Sequence, residues 1–220
     1  MAVICVVPIK KESERVKNKN IQKVGDQKLY EICINKVAAL QKQGHIDRVY
    51  VDTDIEEIQK WIKRFDNVTL IKRNPRRSHY DMSANDTMLY DIVQTNAQPE
   101  DVFCHAFITA PFADVLKMRD CIKAIKSGKY NSAFIGERIQ SYTFTEDGVK
   151  CFEGMPSTQD LPPVYKDTCA FNVTKVKEFK KNNDRYCKDV FIAKCGKVEG
   201  IDIDTPEDLE MARAIAKTRK

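Results

Sequence analysis

Ala2-Val3-Ile4-Cys5-Val6-Val7-Pro8-Ile9 opens the chain as an unbroken apolar run. It lacks the alternation of a half-exposed strand, so it reads as a strand buried on both faces of a parallel sheet. Working outward, a polar and basic loop follows. Leu29, Ile32, Cys33, Val37 and Leu40 then recur at helical spacing, and Gly44 fits the helix end. Arg48 to Thr53 is a second strand, and Ile55 to Phe65 a helix opening on Asp54. Val68 to Lys72 is a third strand, and Ser83-Ala84-Asn85-Asp86 is a capping box that starts a helix ending near Thr95. Val102 to Thr109 is a fourth strand that stops at Ala110-Pro111, Val115 to Ser127 a helix closed by Gly128, and Ser132 to Gly136 a fifth strand. This succession predicts an α/β fold with a doubly wound, mostly parallel sheet. Such sheets bind ligands beyond the carboxyl ends of their strands. The basic loop after the first strand, the Asp52-Thr53-Asp54 turn, the loop after Lys72 and the Thr109-Ala110-Pro111 turn are therefore expected to converge.

The pattern breaks between Ile139 and Tyr165, where Pro156, Pro162 and Pro163 accompany weak alternation. That stretch reads as an inserted hairpin or arm. The predicted organisation is a nucleotide-binding core over 1–138, an arm over 139–166 and the remainder of the core over 167–220. The chain has 220 residues with 42% apolar and 31% charged content, which suits a globular protein of one α/β domain. The net charge of +5 is concentrated locally. Lys10, Lys11, Arg15, Lys17, Lys19, Lys23 and Lys28 crowd one stretch, and Lys72, Arg73, Arg76 and Arg77 another. Such clusters suit a phosphate-rich small ligand. No nucleic-acid-binding pattern accompanies them, so nucleic acid is not expected as a partner. None of the eight cysteines forms a Cys-x-x-Cys pair, so they read as buried thiols of a reducing compartment. The opening run is too short for a signal segment or a membrane span, and a cytoplasmic protein without a membrane partner is expected.

Near the other end stands Gly200-Ile201-Asp202-Ile203-Asp204-Thr205-Pro206-Glu207-Asp208-Leu209-Glu210. Its first half reads as a short strand with Asp202 and Asp204 on one face. Its second half reads as a helix start, with Thr205 as N-cap, Pro206 in first position and Asp208 completing the cap. Two such carboxylates can hold a hard divalent cation through oxygen, or simply line a solvated strand. The residues alone leave both open. The first loop contains no glycine, so it is neither a Walker loop nor a dinucleotide fingerprint. Phosphate capture would rest on Lys10, Arg15 and Lys19 and on backbone amides. His45, His79 and His105 show no metal or triad spacing, Trp61 reads as core, and no Gly-x-Ser-x-Gly motif is present.

Taken together, these segments resemble the CMP-sugar synthetases, the acylneuraminate cytidylyltransferases and their KDO-activating relatives. The resemblance runs through Pro8-Ile9-Lys10 to Lys19-Asn20-Ile21, Asp52-Thr53-Asp54-Ile55-Glu56-Glu57-Ile58, Arg73 to Asp86, Ile108-Thr109-Ala110-Pro111 and Leu161-Pro162-Pro163-Val164-Tyr165-Lys166. It is letter for letter at Asp202 to Leu209. It implies a Rossmann-like nucleotidyltransferase fold and transfer of CMP from CTP to an acidic sugar, with loss of pyrophosphate, for cell-surface polysaccharide. It further implies Mg²⁺ on Asp202 and Asp204, with Lys10, Arg15 and Lys19 neutralising the triphosphate alongside them. Pro8, Asn20, Arg73, Ser83 and Thr109 would complete the nucleotide site, Phe107, Tyr165 and Lys166 would face an anionic acceptor, and the arm would make a homodimer. The chain departs from the family at Lys10, at Lys11-Glu12, at Glu14 and at Phe107, where the family carries glutamine. A phosphorylated polyol or phosphonate acceptor, and a non-catalytic nucleotide-binding relative, are the alternatives.

Overall fold

A computed structural model of the protein describes residues 1–13, 15–74 and 82–219. Glu14, Arg76, Arg77 and His79, all noted in the sequence, lie outside the described residues. In chain order the elements are β1 (Val3–Ile9), β2 (Lys23–Val24), β3 (Gln27–Lys28), α1 (Leu29–Lys42), β4 (Arg48–Thr53), α2 (Glu56–Trp61) and β5 (Val68–Lys72). Then come α3 (Ala84–Gln94), β6 (Val102–Ala106), α4 (Val115–Lys126), β7 (Ser132–Ile139), β8 (Val164–Lys175), α5 (Val176–Asn182), β9 (Val190–Cys195) and α6 (Pro206–Thr218).

Seven strands form one sheet in the order β5-β4-β1-β6-β8-β7-β9. β1 lies between β4 and β6 and runs parallel to both. Its alternate residues feed two cores. Val3, Cys5, Val7 and Ile9 pack with Ile34, Val37, Leu40 and Ile122 on one side, while Ile4 and Val6 pack with Met88, Ile92, Phe103 and Phe179 on the other. That two-sided burial is why the run is apolar without alternation. Each such side chain contributes about 1.5–3 kcal/mol on burial. Because β4 and β6 flank β1 on opposite sides, successive crossovers leave in opposite directions. The chain therefore opens a crevice at the carboxyl end of β1, the expected place for a ligand.

Several expectations need correction. The sheet is mostly parallel as expected, but β8, between β6 and β7, is antiparallel to both. The fourth strand stops at Ala106 rather than Thr109, and the fifth runs on to Ile139. Asp54 does not cap α2. Its Oδ1 accepts the amide of Lys11 at 2.7 Å, and Ile55 holds the N-cap position without a side-chain cap. The Asp202–Asp204 segment is not a strand, for reasons given below. Cys151 is exposed and Cys169 half-buried, while the other six cysteines are buried and all are free. The β2–β3 hairpin, turning on Gly25 at φ 65°, was not foreseen from so short a sequence span. The arm, by contrast, grows from the core: β7 and β8 pair as far as Ile139 and Val164, and Phe144 bridges Lys150 beyond them.

Gly136 sits beside an irregularity in the β7–β8 ladder, and a Cβ there would meet Ile192 Cγ2 at 2.6 Å and Phe134 Cε2 at 3.1 Å. Gly136→Ala is expected to cost about 1–3 kcal/mol of overpacking. Urea unfolding checks this: the midpoint should fall with the slope unchanged, and an unchanged midpoint would contradict the packing.

Candidate active site

The loop after β1 is folded back over the sheet edge by its own backbone. Asn18 takes a left-handed φ of 53° and starts a 3-10 turn over Lys19–Ile21. Buried Asn20 donates its side-chain amide to the carbonyl of Lys10, in a contact shorter than usual. The loop roofs a cavity of about 540 Å³ whose walls include Pro8, Lys10, Arg15, Lys19, Asn20, Arg73, Phe107 and Thr109. Three of the four segments expected to converge supply it, namely the first loop, Arg73 after β5 and the residues after β6, while α3 adds Ala84 and Thr87 in place of the Asp52-Thr53-Asp54 turn. Asp54, from the Asp52-Thr53-Asp54 turn, holds the loop from behind. Ser83 does not line this cavity. Its hydroxyl accepts the amide of Asp86 at 3.1 Å and donates to the Asp86 carboxylate at 2.7 Å, so it shapes the start of α3. Tyr165 and Lys166 also lie outside these walls, at the start of β8. The Lys166 ammonium is 4.0 Å from Glu137, and Lys194 sits over the Tyr165 ring at 5.5 Å.

The acidic motif docks beside this cavity. The amide of Ile203 donates to the Thr109 carbonyl at 2.9 Å, and the Ile203 side chain is fully buried. One backbone bond is not a ladder, so the segment is extended without being a strand. The period-two alternation still holds, with apolar Ile203 turned into the core between the two carboxylates. Thr205 and Asp208 then close the capping box foreseen in the sequence, Asp208 accepting the amides of Asp204 and Thr205 at 3.0 and 2.8 Å.

The two carboxylates differ in environment. Asp204 is half-exposed and faces cations, with Arg15 Nη2 at 2.6 Å and Lys19 Nζ at 3.3 Å. Lys19 also donates to the Ile203 carbonyl at 2.8 Å, tying the first loop to the last. Burial pushes the Asp202 carboxyl upward; the Thr109 hydroxyl opposes that shift and the Asp204 charge adds to it. Asp202 Oδ1 is buried with no hydrogen-bond partner among the described residues. A buried carboxylate oxygen without a donor fits a hard cation, which would supply the missing charge. Among the described residues no group of three or more His, Cys, Asp or Glu comes together. The protein thus offers two carboxylates, and most of a six-oxygen shell would have to come from a ligand and water.

Three further features were not legible as site elements. Under the cavity, Arg73 pairs with Asp52, and both are buried. Next to them Asp91 Oδ2 lies 2.9 Å from His105 Nε2, again fully buried, with the Phe107 ring stacked edge-on 5.5 Å from His105. In β8, Asp167 takes the Tyr186 hydroxyl at 2.5 Å and the Asn172 amide at 3.2 Å, and lies 3.7 Å from Arg185. Its other oxygen accepts the amide of Cys169, which adopts φ 49° inside β8. A lone charge inside an apolar strand, such as Asp52 in Tyr50-Val51-Asp52-Thr53, is the one signal that could have marked the first of these.

The third feature is Lys36, which braces the Thr109–Pro111 turn from α1, donating to the Pro111 carbonyl at 2.6 Å. Burial pushes its amine down to about 8. The unfolded amine titrates near 10.4, so between these values the unfolded chain binds more protons and stability rises with pH. Wild type should therefore gain stability relative to Lys36→Met as pH goes from 8 to 10, in urea midpoints taken across that range. Parallel curves for the two proteins would contradict the buried amine.

Comparison with known proteins accords with this geometry. A search of curated proteins found no match. The solved structure of CMP:2-keto-3-deoxy-manno-octonic acid synthetase complexed with CTP superposes with a TM-score of 0.71 at 11% identity, covering 100% of both chains. The structure of 4-diphosphocytidyl-2C-methyl-D-erythritol synthase from Anaerococcus prevotii superposes with a TM-score of 0.69 at 15% identity, covering 98% of this chain and 96% of that one. At these identities the likeness establishes the Rossmann-like nucleotidyltransferase fold. The cytidylyltransferase family matches residues 4–219, nearly the whole chain. With the glycine-free basic loop and the acidic motif at the same crevice, this protein belongs to the cytidylyltransferase family, the CTP-dependent nucleotidyltransferases.

Proposed function

We propose that this cytidylyltransferase moves CMP from CTP to an acidic sugar, a sialic-acid-like nonulosonate or a related sugar acid, and releases pyrophosphate. The observation that carries this reading is the junction of Asp202 and Asp204 with Arg15 and Lys19 beside a cavity of about 540 Å³ that also holds Asn20 and Arg73. That volume suits a nucleotide-sized ligand. Basic side chains at one end suit the triphosphate, while Asn20, Arg73 and Pro8 are left for the nucleoside. The first of the two solved relatives is a synthetase that joins CMP to a sugar acid, which supports the acceptor class. The second is named for a cytidylyl product of a methylerythritol, and Phe107 stands where the resembling family has glutamine. A phosphorylated polyol acceptor is therefore the second reading.

Phosphoryl-group chemistry asks a protein mainly for position and charge. Lys10, Arg15 and Lys19 neutralise the triphosphate, and the fork of Arg15 can grip two oxygens at once. When phosphates arrive, Arg15 and Lys19 exchange the Asp204 carboxylate for them. That leaves Asp202 and Asp204 available to hold Mg²⁺, which when bound would screen phosphate charge and polarise the phosphoryl oxygen. Thr109 donates to Asp202 and so orients it. Lys166, whose side chain is 55% exposed, is set to meet the acceptor's anionic group beside Tyr165. No helix among the described residues is long and apolar enough to cross a membrane.

The arm presents Phe144, Val149 and Met155 at 56, 57 and 73% exposure around a Tyr142–Phe152–Phe144 ring cluster. A second copy of the chain is the occupant that makes this a homodimer. Phe144→Glu should convert a dimer to a monomer in sedimentation, and a wild-type monomer would reject the assignment.

The function is tested by pyrophosphate release from CTP and Mg²⁺ across nonulosonic acids, other sugar acids, phosphorylated polyols and phosphonates. Release with a sugar acid is expected, with Asp202→Asn slower by about 10²-fold or more, the size seen on losing one preorganised electrostatic group. Release with phosphorylated acceptors alone would move the acceptor to the second reading. A fully active Asp202→Asn would remove the acidic pair from the mechanism.

A further inference from the structure

We propose that Asp52 is a positioning residue for the nucleotide, fixing the Arg73 guanidinium at the cavity wall. This rests on the reading that the cavity takes CTP. Arg73 follows β5 directly, its amide donates to the Thr53 carbonyl at 3.3 Å, and its side chain is 6% exposed where it joins the cavity lining. Asp52 is 1% exposed and does not itself line the cavity. Its register partner in β5 is Ile71, two residues before Arg73, so carboxylate and guanidinium are set on the same face of adjacent strands. The pair is closed by Asp52 Oδ2 and Arg73 Nη2. Whatever Asp52 does to a bound ligand passes through Arg73.

A merely structural role is a poor account of this pair. Burying two ions costs several kcal/mol each in desolvation, and apolar residues of similar volume commonly do as well or better. Here the cost is not fully recovered, since Asp52 Oδ1 and Arg73 Nε are both buried without a hydrogen-bond partner among the described residues. A second carboxylate makes matters worse, as Asp91 of α3 faces the same space and also leaves Oδ1 unpaired. An arginine left to itself carries about 2 kcal/mol of rotamer entropy. Asp52 removes that freedom before the ligand arrives, which is preorganisation of one donor group.

The charges around Asp52 give the arrangement a readable signature. Burial and Asp91 push its carboxyl up to about 6; Arg73 opposes them and Asp54 adds weakly. His105 on β6 faces Asp91 from the other side. Below pH 6 Asp52 takes a proton and its grip on Arg73 weakens; above it the ion pair is intact.

The test is calorimetric titration of CTP from pH 5.5 to 8 into wild type, Asp52→Asn, Arg73→Met and the double variant, with thermal unfolding in parallel. Asp52→Asn is expected to weaken CTP binding about tenfold at pH 8, the scale of one hydrogen bond to a charged group. At pH 5.5 the gap to wild type should narrow to about threefold, a comparison in which the nucleotide's own titration cancels. The double variant should bind no more weakly than Arg73→Met alone, because the two side chains act as one unit. If Asp52→Asn does not fold, the ratio of wild-type to Arg73→Met affinity serves instead: it should shrink as pH falls through 6. Unchanged CTP affinity in a folded Asp52→Asn, additive losses in the double variant, or a ratio flat with pH would each overturn the proposal. Failure of wild type to bind CTP at any pH would instead overturn the nucleotide reading beneath it.

Discussion

The Lys19 ammonium holds the two ends of the chain together, 2.8 Å from the Ile203 carbonyl and 3.3 Å from the Asp204 carboxylate. Through it, a loop that follows the first strand and a segment that precedes the last helix become one surface. The bond can form only because β1 occupies the middle of the sheet and because Ile203, buried beside Thr109, brings the acidic motif to the same edge. Hydrophobic burial does the placing, and Lys19 with Arg15 does the joining. Much of the site follows from this: the cavity is roofed by one partner and bordered by the other.

The electrostatics are arranged so that charges have substitutes. Arg15 and Lys19 neutralise Asp204, and a triphosphate would take the place of Asp204 beside the two cations. Asp202 is the exception. Its buried Oδ1 has no hydrogen-bond donor among the described residues, and burial pushes its carboxyl up against the opposing Thr109 hydroxyl. The second unrelieved region, Asp52 with Arg73 and Asp91 with His105, lies under the opposite wall. Both concentrations of unsatisfied buried polar atoms flank the cavity. That is where strain is expected if the structure has been shaped for a ligand rather than for stability alone.

Much of this was legible in the residues. The unbroken Ala2–Ile9 run specified a central strand, because only burial on two faces tolerates no polar alternation. The capping boxes at Ser83 and Thr205 announced helix starts, since a side-chain oxygen must meet the free amides there. What escaped the sequence depends on distance along the chain. Asp91 and His105 stand 14 residues apart and Asp52 and Arg73 21 residues apart, and neither spacing carries a local signal. The first pairing is set by how α3 packs on β6 and the second by the β4–β5 register, and no single stretch encodes either. Ser83 sits in a segment that lines the site, and its hydroxyl exchanges hydrogen bonds with Asp86 in the helix cap. The Asp202–Asp204 segment kept its alternation while losing its strand, because side-chain direction follows extended backbone and not ladder hydrogen bonds.

The most direct measurement of the central claim is the effect of bound Mn²⁺, standing in for Mg²⁺, on the phosphorus relaxation of CTP held by the protein. Strong broadening of the phosphate signals in wild type, with metal affinity falling at least tenfold in Asp202→Asn while CTP stays bound, is the expected result. That tenfold corresponds to about 1.4 kcal/mol. Equal broadening and equal metal affinity in Asp202→Asn would contradict the account, because the phosphates and the acidic motif would then not share a site.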